Sequence, residues 1–235
     1  MATFLRADSL FHHRAPPGTL NGVSLAVEPA RLTLLSGRPD SGAGALLRIL
    51  GLLERPDAGE VWFDSRPTSS MDDAARLDLR NRLFGFIFAE PFLLDSFTVA
   101  ENVAMPLFKI ACLDLEQARS RTAEVLALTG MTPSADVPVD DLSPLDHHKV
   151  ALARALAISP RLLIAEEFGL HLPEPDLHRF AELLRALPGR LGISVIATSA
   201  AAPEIIGADR EIRLEHGLIV ADSEPAPAQE APAHD

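Results

Sequence analysis

The chain of 235 residues is 47% hydrophobic and carries a formal charge of −12 at pH 7. This length and composition fit one large globular domain, or a core lobe with a smaller lobe inserted in it. A general nucleic-acid-binding role is excluded, because such affinity comes from clustered Lys and Arg. No apolar run is long enough for a membrane span and no signal peptide is recognised, so we expect the protein to stay where it is made. The single cysteine, Cys112, fits a reducing compartment and is expected to be a packed small hydrophobe.

The order of the predicted elements indicates an α/β fold. "NGVSLAV" and "RLTLLS" predict two strands, and the second leads into a glycine loop and a helix with leucines at helical spacing. "EVWFD" and "FGFIF" predict further strands, with a polar helical stretch between them. Helical patterns fill residues 97–158, after which strands return at 161–167 and 192–198 around a helix near 176–187. Strands that alternate with helices imply a largely parallel sheet, with ligands at the carboxyl ends of its strands.

The glycine loop lies in "SGRPDSGAGALLRIL", residues 36–50. Gly37 and Gly42 have the spacing of the phosphate-binding pattern G-x-x-x-x-G-K-[ST], between a strand and a helix. Ala43 stands at the lysine position and Gly44 at the hydroxyl position. Taken alone, such a glycine pair is more often a tight turn than a phosphate site.

Longer segments carry a resemblance to a known family. They are "LLRILGLLERPDAGEVWFD", "FGFIFAEPFLLDSFTVAENVAMPL", "LSPLDHHKVALARALAISPRLLIAEEF" and "VIATSAAAPEIIGADREIRLEHGLI". Over residues 2–222 the chain resembles the ATP-binding subunit of ABC transporters of the lipoprotein-releasing and macrolide-export type.

The resemblance implies an ABC-type P-loop NTPase domain: an α/β fold with a mainly parallel core sheet, an antiparallel β subdomain and an inserted helical subdomain. We expect a single domain over 1–222, with a core lobe at 1–90 and 158–222 and a helical lobe at 91–157. The proline- and alanine-rich tail, 223–235, is predicted to be disordered. The family's cofactors are ATP and Mg²⁺.

At most of the family's functional positions, this sequence has a residue without the family's functional group. The phosphate-gripping lysine corresponds to Ala43, the magnesium-binding hydroxyl to Gly44 and the Q-loop glutamine to Ala89. The Walker B aspartate is replaced by Glu166, and the switch histidine by Ser199.

The signature L-S-G-G-[QE] becomes Leu142 to Asp146, which keeps Ser143 but puts Pro144 and Leu145 in place of the glycines. Pro144 removes a backbone donor, and Leu145 is expected to add bulk where another subunit approaches. The aspartate of the next loop falls on Pro173. Among the family's groups that carry the chemistry of hydrolysis, only Glu167, the general base, is retained, and we interpret it as vestigial.

These changes predict that ATP and Mg²⁺ bind weakly or not at all. Loss of the lysine removes charge-assisted hydrogen bonds worth about 1.5–3 kcal/mol, and loss of the hydroxyl removes a magnesium ligand. Asp40 is expected to add negative charge beside the phosphates. Arg48, a turn into the helix, and Arg38, on the outer flank of the loop, are not expected to compensate. An alternative for Glu166 and Glu167 is a strand end that is solvated, or paired with Arg161 or another base.

The segment after the Q-loop position keeps the family pattern more closely. In the family this region receives a short helix of the membrane permease, so Phe92, Leu93 and Leu94 are predicted docking residues. Core packing is the alternative for apolar positions here, and Thr98 with Glu101 predicts a helix capping box.

Two other features of the sequence have simpler explanations than a functional one. Phe11 falls near the family's adenine-stacking aromatic residue, and a core phenylalanine is the equal alternative. The pairs His12-His13 and His147-His148 are expected to be solvated and not to bind metal, because adjacent side chains point to different sides.

The leading hypothesis is a hydrolysis-defective ABC-type subunit with a structural or regulatory role. It would be cytoplasmic, docked on a membrane permease at the cytoplasmic face, and would pair as a homodimer or with another ABC subunit. Two alternatives stay open: a slow ATPase that uses Glu167 as base, and a soluble interaction module no longer tied to transport.

Overall fold

The computed structural model describes residues 4–13 and 19–223. Of the tail predicted to be disordered, only Ser223 is described, as the last residue of a strand, and 224–235 lie outside the described residues. In the described part of the chain, no helix is long and apolar enough to cross a membrane.

The described residues form strands and helices in the α/β arrangement that the sequence predicts. The strands are β1 (Leu5–His12), β2 (Leu20–Val27), β3 (Leu32–Ser36), β4 (Ala58–Phe63), β5 (Arg66–Pro67), β6 (Phe84–Ile87), β7 (Leu162–Ala165), β8 (Ser194–Ala197), β9 (Arg210–Glu215) and β10 (Leu218–Ser223). The helices are α1 (Ala43–Leu50), α2 (Asp73–Leu83), α3 (Val99–Lys109), α4 (Leu115–Thr129), α5 (Pro144–Ala157), α6 (Glu174–Leu191) and α7 (Pro203–Ile206), with short 3-10 turns at Thr68–Ser70, Thr132–Ser134 and Val139–Asp141.

Two sheets form the core, and together they confirm the predicted fold class. The larger has the order β10-β9-β3-β8-β7-β6 and is parallel except for the antiparallel pair β9 and β10. The smaller, β2-β1-β4-β5, is antiparallel. Strands β7 and β8 are buried along their whole length, as expected of parallel strands covered on both faces.

Two hydrophobic clusters lie on the larger sheet. One joins the sheet to α1 and the antiparallel strands, with Leu46 and Leu50 fully buried. The other joins it to helices α3 to α6 and includes Val103, Leu152 and Phe180. Helices α3, α4 and α5 lie within the predicted helical lobe, whose boundaries stay a prediction.

The structure differs from several local expectations. Strand β1 was not predicted. The helix expected near 176–187 is confirmed, and it extends from Glu174 to Leu191 with Pro188 inside its last turn. Cys112 is exposed, not packed. The expectation that both histidine pairs are solvated is wrong for His12 and His148, which are buried while their sequence neighbours stay at least partly accessible. His12 contacts Glu54, and His148 packs edge-on against Phe180.

Candidate functional site

The glycine loop between β3 and α1 keeps the backbone shape that the sequence predicts. Gly37 has φ 151° and Gly42 has φ 98°, both values that favour glycine. A Cβ atom at Gly37 would lie 2.5 Å from the carbonyl oxygen of Leu214, and one at Gly42 would lie 2.5 Å from that of Thr19. Both glycines are therefore required by the fold of the loop.

The loop delivers the chain into α1 with its first backbone N–H groups at the helix N-terminus. Gly42 is the N-cap, and the N–H of Ala43 donates to Ser41 Oγ over 3.3 Å. The N–H groups of a first helical turn have no partner within the helix, so they can donate to an anion. The loop therefore presents backbone donors of the kind that a phosphate site uses.

A cavity of about 850 Å³ opens at the carboxyl ends of β3, β7 and β8. It brings together most of the predicted nucleotide-binding positions: Gly37, Ala43, Gly44, Ala89, Glu166, Glu167 and Ser199. Gly42 caps the helix beside it, whereas Phe11, Ser143 and Asp40 do not line it. Asp40 is exposed and does not line the cavity, and the expectation that it adds negative charge beside the phosphates stays a prediction.

Phe11 and Ser143 lie on other surfaces. Phe11 on β1 is 38% exposed and its ring stacks on that of His13, so the core alternative for Phe11 is wrong. Ser143 is the N-cap of α5: its Oγ accepts from the N–H of Asp146 and donates to that carboxylate over 2.8 Å. Burial opposes ionisation of Asp146, but hydrogen bonds from Lys149 and Ser143 outweigh it and lower its pKa.

The altered signature segment forms an ordinary helix start. Pro144 occupies the first turn of α5, where a proline costs no hydrogen bond. Leu145 is 6% exposed and belongs to the hydrophobic cluster around α3 to α6. The expectation that Leu145 adds bulk on an approach surface is therefore wrong, since its side chain packs inward.

The acid at the Walker B position is paired with a base that sequence reasoning set aside. Arg48 Nη1 donates to Glu166 Oε1 over 2.7 Å, and Arg48 Nε donates to Glu54 Oε1 over 2.8 Å. Burial disfavours the charge on Arg48, but the hydrogen bonds to Glu166 and Glu54 prevail and raise its pKa. Both Arg48 and Arg38 line the cavity, and the expectation that neither compensates for the missing lysine stays a prediction.

The suggested pairing of Glu166 or Glu167 with Arg161 is wrong, whereas the suggested pairing with another base is confirmed for Glu166 by Arg48. Arg161 forms a salt bridge of 2.6 Å with Asp64 instead. The side-chain contacts around Arg48 continue to the antiparallel sheet, where Glu54 Oε2 lies 3.2 Å from Nε2 of the buried His12.

Glu167 is held in the cavity by a strained backbone. Its φ of 45° is a left-handed value that costs a non-glycine residue about 1–3 kcal/mol, and such strain clusters at functional sites. Its N–H donates to Thr198 Oγ1 over 2.9 Å. A carboxylate is thus presented to the cavity, which is the geometry that a general base requires.

The side chains of the cavity do not fit a bound Mg²⁺. Phosphate-loop proteins hold this ion through the loop hydroxyl and the Walker B acid. Here Gly44 and Ala89 offer no side-chain oxygen, and Glu166 accepts a hydrogen bond from Arg48. Among the described residues, no group of three or more His, Cys, Asp or Glu could hold a metal ion.

A second cavity, of about 430 Å³, lies between β6 and the helices α3 and α5. We call it the apolar groove. Its walls include Phe84, Phe86, Phe88, Met105, Ile110 and Ile158, and three basic residues, Arg80, Lys109 and Arg154, also line it.

The predicted docking residues Phe92, Leu93 and Leu94 lie outside the lining of the apolar groove. Phe92 is 67% exposed, and its ring meets that of Phe88 edge-on at 5.9 Å. Sequence reasoning missed the groove walls, although the alternating aromatic residues of "FGFIF" were a usable signal.

The loop that carries Phe92 is anchored at both ends. Arg154 of α5 donates to the carbonyl oxygens of Phe92 and Pro91, each over 2.7 Å. Asn102 of α3 is 1% exposed, and its side-chain oxygen accepts from the N–H of Leu94 over 2.7 Å. Burial lowers the pKa of Arg154.

A glycine loop between a parallel strand and a helix, with an acidic pair after a nearby strand, defines a phosphate-loop nucleotide-binding domain. The sequence profile of the family described as ABC transporter matches residues 20–168, more than half of the chain. The chain belongs to the ABC transporter family, and its fold is that of the family's ATP-binding domain.

Relatives in bacteria support this assignment. The lipoprotein-releasing system ATP-binding protein LolD of Myxococcus xanthus (strain DK1622) is 35% identical over 211 residues, which cover 90% of this chain and 94% of the relative. The methionine import ATP-binding protein MetN of Brucella abortus (strain 2308) is 34% identical over 85% of this chain and 54% of its own length.

Solved structures share the fold. An ATP-binding cassette in a dimeric post-hydrolysis state, bound to ADP and Pi, has a TM-score of 0.81 at 24% identity, covering 94% of this chain and 98% of the cassette. At that identity the likeness concerns the fold alone.

Proposed function

We propose that this chain is a hydrolysis-defective ATP-binding subunit that docks on a membrane permease as a structural or regulatory partner. The observation that carries the proposal is the ion pair of 2.7 Å between Arg48 and Glu166. It engages the acid at the metal-binding position, in a cavity where Ala43, Gly44 and Ala89 supply no polar side chain.

The lost contacts weaken nucleotide binding and hydrolysis by different amounts. Charge-assisted hydrogen bonds from a lysine are worth about 1.5–3 kcal/mol, and each 1.4 kcal/mol is about tenfold in affinity. With the metal ligands lost as well, Mg²⁺-ATP affinity falls about a hundredfold or more. Phosphoryl transfer loses more, because it depends on positioning and charge stabilisation that Glu167 alone does not supply.

The docking role is supported by the apolar groove. The relatives at 32–35% identity are named as subunits of a lipoprotein-releasing system, and family members of this kind act with a permease. A short permease helix with an apolar face would fill the aromatic walls. Acidic residues on that helix would suit Arg80, Lys109 and Arg154, which form a local basic site on a chain of charge −12.

This role places the chain at the cytoplasmic face of a membrane. Dimeric cassettes among the solved structures support pairing, either with a second copy or with another ABC subunit. Nucleic acid is not a partner in this proposal, because the charge of the chain opposes phosphate-backbone binding.

ATP turnover by the purified chain tests the loss of hydrolysis. We expect phosphate release equal to that of Glu167→Gln and to a blank without protein. The competing candidate, a slow ATPase, is favoured by the position of Glu167 in the cavity. Turnover above the blank that Glu167→Gln abolishes would establish the slow ATPase and overturn the proposal.

Two matched substitutions on α3 test the docking role. Met105 lines the apolar groove, whereas Phe108 is 43% exposed on the same helix and does not line it. The tagged chain is purified from detergent-solubilised membranes of its source, and the permease is identified by mass spectrometry. We expect Met105→Glu to lose the permease and Phe108→Glu to keep it. Absence of any permease from the native sample would favour the soluble interaction module.

A further inference from the structure

Arg48 occupies the part of the cavity that a metal ion takes in phosphate-loop proteins. In those proteins the ion lies between the loop hydroxyl and the Walker B acid. A Cβ atom built on Gly44, the hydroxyl position, would lie 3.3 Å from Arg48 Nη1. The same nitrogen donates to Glu166, the acid position, over 2.7 Å. One guanidinium therefore bridges the two positions that otherwise share the metal.

The residues around Arg48 suit a guanidinium better than a metal. Gly44 leaves free the space in which a serine or threonine side chain would meet Nη1. Glu166 is one methylene longer than the usual aspartate, and this length carries its carboxylate to Arg48. Glu54 fixes the opposite edge of the guanidinium through Nε. Two changes from the family pattern, Gly44 and Glu166, thus serve one interaction.

Arg48 retains donors for a further anion. Its hydrogen bonds within the described residues use two of the five N–H groups of a guanidinium. The first-turn N–H groups of α1 and the side chains of Arg38 and Arg213 border the same cavity. A guanidinium matches phosphate oxygens in geometry and stays charged at any pH at which the protein folds.

We propose that Arg48 replaces the metal, so that this cavity binds the polyphosphate group of a nucleotide without Mg²⁺. The inference deepens the proposed function and rests on it, since it assigns a ligand to the site that has lost hydrolysis. Glu167, Glu204 and Glu211 also line the cavity and limit the affinity. Metal-free nucleotide binds at least as tightly as the magnesium complex, because the guanidinium of Arg48 repels a Mg²⁺ ion placed beside it.

Titration calorimetry on the full chain tests this assignment. ATP, ADP and inorganic pyrophosphate are each titrated in EDTA and again in excess MgCl₂. We expect binding in EDTA that added Mg²⁺ does not tighten. Tighter binding of ADP than of pyrophosphate identifies a nucleotide as ligand, whereas equal binding identifies the polyphosphate group alone. Affinity that rises tenfold or more with Mg²⁺, or no binding of any of the three in EDTA, overturns the proposal.

Substitutions assign the effect to Arg48. Arg48→Gln is expected to weaken metal-free binding at least tenfold, and Arg48→Lys to retain part of it. Arg161→Gln is the matched control, because Arg161 pairs with Asp64 and does not line the cavity. Thermal unfolding shows that each variant is folded. Unchanged binding by a folded Arg48→Gln contradicts the assignment, while the turnover and permease experiments decide the proposed function separately.

Discussion

Returning the signature segment toward the family pattern should destabilise this protein. Leu145→Gly restores the second glycine of that segment, but Leu145 is 6% exposed inside a hydrophobic cluster. Truncation of a buried leucine costs about 2–5 kcal/mol. Glycine in a helix adds up to about 1 kcal/mol. We expect a loss of about 4 kcal/mol, which for a chain of this size lowers Tm by about 8–16 °C.

Urea denaturation followed by far-ultraviolet circular dichroism measures this loss. Pro144→Gly is the control, because Pro144 is exposed in the first turn of α5 and its replacement costs about 0.4–1 kcal/mol through the unfolded chain. If Leu145→Gly costs no more than Pro144→Gly, the inward packing of Leu145 contributes little and the reasoning is refuted.

Three further changes have defined outcomes. The triple variant Ala43→Lys, Gly44→Ser, Arg48→Leu should bind Mg²⁺-ATP at least tenfold more tightly than the double variant Ala43→Lys, Gly44→Ser, because removal of Arg48 frees Glu166 for the metal. Calorimetry measures both affinities, and equal values would contradict this expectation. Burial lowers the pKa of His148 below its usual 6.5, so the unfolded chain takes up a proton there before the folded protein does. The free energy of unfolding should therefore fall as pH drops below 6.5, by up to about 1.4 kcal/mol per pH unit. In urea titrations, His148→Phe should remove this part of the pH dependence. Thr98→Ala deletes the N-cap of α3 and should lower the free energy of unfolding by about 1 kcal/mol in the same urea assay. An unchanged free energy would show that the cap does not stabilise the protein.

Features set by neighbouring residues could be predicted from the sequence. The capping box of Thr98 and Glu101 is confirmed, because both of its hydrogen bonds join residues three apart. The turn at Gly37 and Gly42 lies between a strand and a helix as predicted, since such a turn restricts its own backbone, while the nucleotide-binding role of both glycines stays a prediction. The fold class is also confirmed, because alternating periodicities specify a parallel sheet.

Features that depend on distant residues could not be predicted. Arg48 and Glu166 are 118 positions apart, and only the neighbouring strands of the sheet bring them together. The side chain of Leu145 is buried because it packs into the hydrophobic cluster around helices α3 to α6. His12 is buried at a position where it contacts Glu54, which is distant in the sequence. Comparison with the family pattern identifies which residue is replaced. It does not predict which residues the new side chain contacts in the folded protein.

The anchoring of the loop that carries Phe92 has a mechanical consequence. Arg154 of α5 and Asn102 of α3 hold it from two sides, so loop and helices would move as one rigid body. Pressure exerted on the groove by a bound helix would pass along α5 to Ser143, about 16 Å away at 1.5 Å per residue. Under the proposed function, this connection would transmit a displacement of the bound helix without ATP hydrolysis by this subunit.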